Sequence, residues 1–157
     1  MKLVHASIPA DDPKTAAEVL ADIMGGEALP FPPAGADAFM AWSKDGAIEL
    51  EIVPRGRTLH FDDEQGNWRP SSVSSRLSEV HLAIAVAKSA EEVLAIAQAA
   101  GWPARRCDRG NGLFQLVEVW VDGCFMIEFM DPGQARRYEE VVTPASWKAY
   151  LAQAALR

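Results

Sequence analysis

Apolar and polar positions alternate over short stretches of this chain, and between those stretches apolar residues recur at helical spacing. Val4, Ala6 and Ile8 alternate with other residues and predict a first strand over roughly residues 2–9. Asp11-Asp12-Pro13 then reads as a helix start, with an Asp cap and Pro in the first turn. Ala17, Val19, Leu20, Ile23 and Met24 supply an apolar helical face, and Gly25-Gly26 supplies the stop. Pro30-Phe31-Pro32-Pro33 is extended or irregular, because proline cannot donate to a central ladder. Residues 37–43 and 46–53 predict two strands that turn at Lys44-Asp45-Gly46.

The same order then returns. A strand is expected near 78–87, and a helix opens at Ser89-Ala90-Glu91-Glu92 and ends at Gly101. A short strand near 103–107 follows, then strands at 113–121 and 124–130 joined by Asp122-Gly123. Between the two units, residues 55–76 are polar and rich in Gly, Asp, Asn, Pro and Ser, a long connection that Trp68 is placed to pin down. Pro144, Trp147, Tyr150, Leu151, Ala154 and Ala155 predict a terminal amphipathic helix. The chain therefore reads as a single α+β domain over 1–157. Its first unit spans 1–54, its linker 55–76, its second unit 77–132 and its C-terminal helical extension 133–157.

Each unit repeats its polar chemistry. His5 stands on the first strand of one and His81 on the first strand of the other, while Ile48-Glu49-Leu50 and Ile127-Glu128-Phe129 occupy the last strands. The His-to-Glu separations are 49 − 5 = 44 and 128 − 81 = 47 residues. Strand alternation places Ile48, Leu50 and Ile52, Phe125, Ile127 and Phe129, and Val80, Leu82, Ile84 and Val86 on helix-facing sides. His5, Glu49, His81 and Glu128 all fall on the opposite side, where the lining of a cavity would lie. Two imidazoles and two carboxylates meeting in one place form a divalent metal site. Two carboxylates about 4 Å apart repel by roughly 4 kcal/mol at an effective dielectric near 20, and a cation removes that repulsion. Glu51 shares the face of Glu49 and reads as a rim residue. Met126, Met130, Trp42 and Trp120 are candidates for an apolar pocket lining. His60 lacks strand register and a partner at the repeat offset, so it reads as loop.

A formal net charge of −7 argues against nucleic acid as a partner, since phosphate binding needs concentrated Lys and Arg. The short basic clusters at Arg105, Arg106 and Arg109 and at Arg136 and Arg137 suit loop charges or an anion contact. Cys107 and Cys124 make neither a disulfide framework nor a C-x-x-C motif. No stretch resembles an export signal or a membrane span, which leads to a cytoplasmic expectation.

At these residues the chain resembles the vicinal oxygen chelate superfamily, which includes glyoxalase I, extradiol ring-cleaving dioxygenases, methylmalonyl-CoA epimerase and bleomycin-sequestering proteins. The resemblance covers most of residues 1–132, and Ile127-Glu128-Phe129-Met130-Asp131-Pro132 is similar to the family's closing strand and turn. It implies two tandem βαβββ units whose curved mixed sheets surround a metal-binding cavity. One divalent ion per site (Ni, Co, Mn, Fe or Zn) would be held by His5, Glu49, His81 and Glu128. The implied activity is that of a glyoxalase-like lyase or isomerase, acting on a small carbonyl or hydroxy-carbonyl substrate through metal-stabilised enolate chemistry. Glu128 would be the base, with Glu49 its symmetry-related alternative. The other activities it implies are extradiol-type ring cleavage and non-catalytic binding of a small molecule such as an antibiotic. A homodimer is expected, with each site lying within one chain or shared between two.

Overall fold

A computed structural model describes residues 5–61, 66–71, 78, 80–143, 145–146 and 149. Its elements follow the order β1 (His5–Ala10), α1 (Pro13–Met24), β2 (Ala28–Pro30), β3 (Phe39–Trp42), β4 (Glu49–Pro54), β5 (Arg57–Phe61) and β6 (Gly66–Pro70). Then come β7 (Leu82–Ala85), α2 (Ala90–Ala99), β8 (Ala104–Arg109), β9 (Phe114–Val121), β10 (Phe125–Met130) and α3 (Pro132–Val141). The two units form two four-stranded mixed sheets, ordered β1-β4-β3-β2 and β7-β10-β9-β8. In each, the first strand runs parallel to the last and the remaining neighbours are antiparallel. The strand orders are the same, as a duplicated unit requires.

Local chemistry sets the boundaries. Asp12 caps α1 by accepting from the Thr15 N–H at 3.1 Å, and Gly25 closes the helix in the left-handed region at φ 69°. Ser89 and Glu92 form a capping box on α2. Asp122 and Gly123 both take positive φ (52° and 69°), the two-residue turn whose twist matches a hairpin. The first unit's turn is longer than expected. Asp45 Oδ1 accepts from Ser43 Oγ and from the Ala47 N–H, which delays β4 until Glu49.

Alternation puts Ile8, Ala10, Ala41, Leu50 and Ile52 of one sheet, with Val117, Val119, Val121, Phe125, Ile127 and Phe129 of the other, into one apolar core. α1 and α2 contact each other and cover these two faces. Val80 departs from the expected pattern and is 62% exposed, because regular pairing of β7 begins only at Leu82. The linker also contains structure that its composition concealed. β5 and β6 pair as a separate hairpin, and Trp68 packs with Ala34, Ala38, Val53 and Phe31. The amphipathic helix expected over 144–156 lies mostly outside the described residues.

Gly26 marks a close approach of backbone segments. A Cβ there would stand 2.0 Å from the Trp42 carbonyl oxygen and 2.7 Å from the Ser43 carbonyl carbon, both backbone atoms unable to swing aside. Gly26→Ala should therefore cost about 2 kcal/mol by forcing the end of α1 away from β3. That corresponds to a fall in Tm of roughly 4–8 °C, readable by thermal unfolding.

Candidate functional site

The sheet faces turned away from the helices carry the polar residues. On the first sheet His5, Ser7, Glu49, Glu51, Met40 and Trp42 share that side through the registers His5↔Glu49, Ser7↔Glu51, Met40↔Glu51 and Trp42↔Glu49. On the second, Glu128 pairs with Ala83 and Glu118, Met126 with Trp120, and Glu118 with Arg105.

Each half contains one His–Glu pair. His81 Nε2 lies 3.9 Å from Glu128 Oε2, and His5 Nε2 lies 4.0 Å from Glu51 Oε1. Both imidazoles are about half exposed (52% and 53%), while both paired carboxylates are 14% exposed. Glu51 is thus the first-unit carboxylate that lies beside His5. The register agrees, since Glu51 stands across from the residue two beyond His5 and Glu128 across from the residue two beyond His81. Glu51 is held by Ser7 Oγ, which donates to its Oε2. Glu49 lies one step along the strand, beside Trp42 and level with Met126 in the duplicate, without a hydrogen bond or ion pair to any described residue. The four sequence-derived residues do not converge within one chain. Among the described residues, no three His, Cys, Asp or Glu side chains lie close enough together to hold one ion.

The second half carries a charged cluster on β8 and β9, where the sequence suggested loop charges or an anion contact for the arginines. Arg109 Nη2 donates to Glu128 Oε1 at 3.0 Å and also to Glu118 Oε1, while Arg105 Nε donates to Glu118 Oε2 at 2.7 Å. Trp120 Nε1 approaches the same Glu118 oxygen at 3.4 Å. Glu118 is only 3% exposed. Burial by itself would raise its pKa, but hydrogen bonds from Arg109, Arg105, Cys107 and Trp120 outweigh that and bring it down to about 2. The Arg109 guanidinium is pushed upward by Glu118 first and Glu128 second. Burial and the neighbouring Glu118 push the Cys107 thiol upward. The alternation Arg105, Cys107, Arg109 opposite Glu118 was the available sequence signal, since one strand face carrying two Arg beside a buried Glu is uncommon.

An open recess of ≈ 360 Å³ next to this cluster is lined by Pro103, Ala104, Arg105, Trp120 and Gly123. A recess of ≈ 520 Å³ between α1 and α2, lined by Val19, Asp22, Ala95 and Ile96 among others, is remote from the His–Glu pairs. No described helix is long and apolar enough to cross a membrane.

No protein-family model matches the sequence, and no curated protein matches it. Solved structures do. The fosfomycin resistance protein FosX from Mesorhizobium loti aligns over 86% of this chain and 95% of its own, with a TM-score of 0.53 and 12% identity. FosX from Listeria monocytogenes, crystallised with Mn(II) and 1S,2S-dihydroxypropylphosphonic acid, aligns over 88% and 95%, with a TM-score of 0.54 and 12% identity. Lactoylglutathione lyase from Agrobacterium tumefaciens aligns over 83% and 92%, with a TM-score of 0.52 and 16% identity. With the duplicated strand order and the α+β architecture, these similarities show that the chain has the fold of the vicinal oxygen chelate (glyoxalase/bleomycin resistance) superfamily.

Proposed function

We propose that this protein is a glyoxalase-like, metal-dependent lyase or isomerase acting on a small carbonyl or hydroxy-carbonyl compound, with each site assembled from two copies of the chain. The observation that carries this reading is the pair of equivalent His–Glu couples, His5–Glu51 and His81–Glu128, at matching places on the two sheets. Their N···O separations lie within the span open to two ligands of one ion, at most about 4.3 Å for bonds of about 2.0–2.2 Å. Nitrogen and oxygen donors without thiolate suit Ni, Co, Mn, Fe or Zn. His5, Glu51, His81 and Glu128 would hold such an ion, which supplies Lewis acidity to vicinal oxygens of the substrate when bound.

The chain's own residues divide the remaining work. Arg109 fixes Glu128 through Oε1 and leaves Oε2 toward His81, while Ser7 fixes Glu51 through Oε2 and leaves Oε1 toward His5. Glu49, with neither constraint, is the carboxylate assigned to take the proton from carbon. Trp42, Met40, Met126 and Trp120 give the same faces an apolar lining that limits water.

A homodimer brings the halves together. His5 opens edge strand β1 and His81 immediately precedes edge strand β7, so each couple stands at an open sheet edge. Mixed refolding tests this. His5→Ala and His81→Ala proteins, each poor in retained ion, should on mixing recover about a quarter of the parent's tight sites, because half the dimers are mixed and each contains one intact site. Sites contained within single chains would recover none. The chemistry is tested by incubating the ion-loaded protein with small hydroxy-ketones in deuterated water. Ion-dependent incorporation of deuterium next to the carbonyl is expected, and its absence across such compounds at full ion occupancy would remove the lyase or isomerase assignment.

A further inference from the structure

The two halves of the duplicate diverge at one cluster of positions in a way that bears on ligands. Leu29, Met40 and Glu51 in the first sheet occupy the positions of Arg105, Glu118 and Glu128 in the second. The first unit forms the same four-stranded sheet with Leu and Met at two of these positions. The fold thus does not need the charged cluster, and another role must account for two guanidiniums converging on one carboxylate.

Donor count indicates that role. Glu118, nearly fully buried, meets both guanidiniums, and Glu128 meets Arg109 alone, so the case for an oxyanion rests on the donors that these two carboxylates leave free. Among the described residues Arg105 gives only its Nε to a carboxylate, and Arg109 only its Nη2. The other N–H groups retain the planar fork that suits bidentate oxyanions. Glu118 lies beneath both side chains and removes much of the entropy cost of holding them in place. Arg105 also lines the ≈ 360 Å³ recess with Trp120, and Arg109 touches Glu128 of the proposed ion site.

We infer that Arg105 and Arg109, aligned by Glu118, form an oxyanion-recognition pair that selects substrates bearing a carboxylate or phosphonate beside the oxygens that chelate the ion. The inference rests on the proposed function for its substrate, but the pair's affinity for anions is separable from ion binding. The opposite half, with Leu29 and Met40, receives the apolar end, so the duplicate offers one charged and one apolar wall to a substrate with both.

The test follows the Trp120 indole N–H resonance of the protein, as purified and after chelation, during titration with methylphosphonate, acetate or neutral acetamide. Both anions should shift that resonance saturably, and acetamide should not. The tighter of the two anions identifies the group preferred. Arg109→Gln should weaken anion binding at least tenfold, while Arg109→Lys, which keeps charge without the fork, should fall between. Arg105, whose side chain is 69% exposed, provides a second variant, and Arg105→Gln should also weaken binding, with thermal unfolding of both Gln variants showing that they are folded at the titration temperature. Equal binding of acetamide, or undiminished anion binding in both Gln variants, would overturn the inference. Ion content measured on the same samples separates the two readings. Arg-dependent anion binding without retained ion would end the metal assignment alone, and retained ion without Arg-dependent anion binding would end this one alone.

Discussion

At a free Mn(II) or Ni(II) concentration about 100 times the dissociation constant, the parent protein should be stabilised by about 2.7 kcal/mol. In a chain of 157 residues that raises Tm by roughly 5–10 °C. His81→Ala and Glu128→Gln should abolish the rise. Each removes a proposed ligand atom rather than a group that merely orients one, so the expected weakening exceeds the 10–100-fold typical of supporting partners. A weakening of about 1,000-fold leaves the ion near a tenth of the new dissociation constant, where the linkage term falls below about 0.1 kcal/mol. The two first-unit carboxylates make the test sharper. Glu51→Gln should lose the rise, since Glu51 is the residue 4.0 Å from His5, whereas Glu49→Gln should keep it. A Glu49 variant that loses the ion and a Glu51 variant that keeps it would restore the pairing suggested by the Ile-Glu motif. An undiminished rise in Glu128→Gln would remove the site altogether.

The contrast between Glu49 and Glu51 shows what the sequence makes legible and where it stops. The duplicated βα and hairpin order was readable because apolar period and turn chemistry are local signals, with Asp12, Ser89, Gly25 and Asp122-Gly123 each acting within a few residues. The faces were readable as well. Alternation alone placed both His residues and all three Glu residues opposite the core, and the pairing agrees for His5 and the Glu residues, while His81 precedes the first paired residue of β7. Register between strands was not readable. Two acidic residues two apart share a face, so only the partner strand decides which of them meets His5. α3 falls inside the helical extension expected over 133–157, but its own bounds were not legible, for a different reason. It has no buried residue and so no apolar stripe, and only its capping box of Asp131 and Gln134 announces it. The β5–β6 hairpin was hidden by the polar composition of its surroundings. Glu118 was passed over because, in Val117-Glu118-Val119, it reads as an ordinary solvated position, and its burial depends on arginines from another strand.

Glu118 is therefore where the largest loss of stability is expected. Glu118→Gln keeps the shape but removes the charge that Arg105 and Arg109 converge on. Breaking a buried ion pair on one side costs about 3–5 kcal/mol. Arg105 and Arg109 are 69% and 36% exposed and can turn to water, so the lower end, about 3 kcal/mol, applies here. The acid dependence gives an independent reading of the same interaction. The carboxylate's pKa falls from 4.5 to about 2 on folding. A group depressed in the folded state stabilises fully above its unfolded pKa and loses that contribution as pH drops through its folded value. The parent should therefore lose about 3 kcal/mol of its stability between roughly pH 4.5 and pH 2 through this group alone. Urea unfolding at pH 7 should show the variant destabilised by that amount. Across the acid window the two proteins should converge, because the parent's Glu118 then becomes as neutral as the Gln. Met40, the residue at this place in the other sheet, supplies the control. Met40→Leu exchanges one apolar side chain for another and should shift stability by less than about 1.5 kcal/mol, with no change in acid dependence. A Glu118→Gln protein as stable as the parent at pH 7, or one that keeps a constant gap from it down to pH 2, would mean that the arginines are held by something other than this carboxylate.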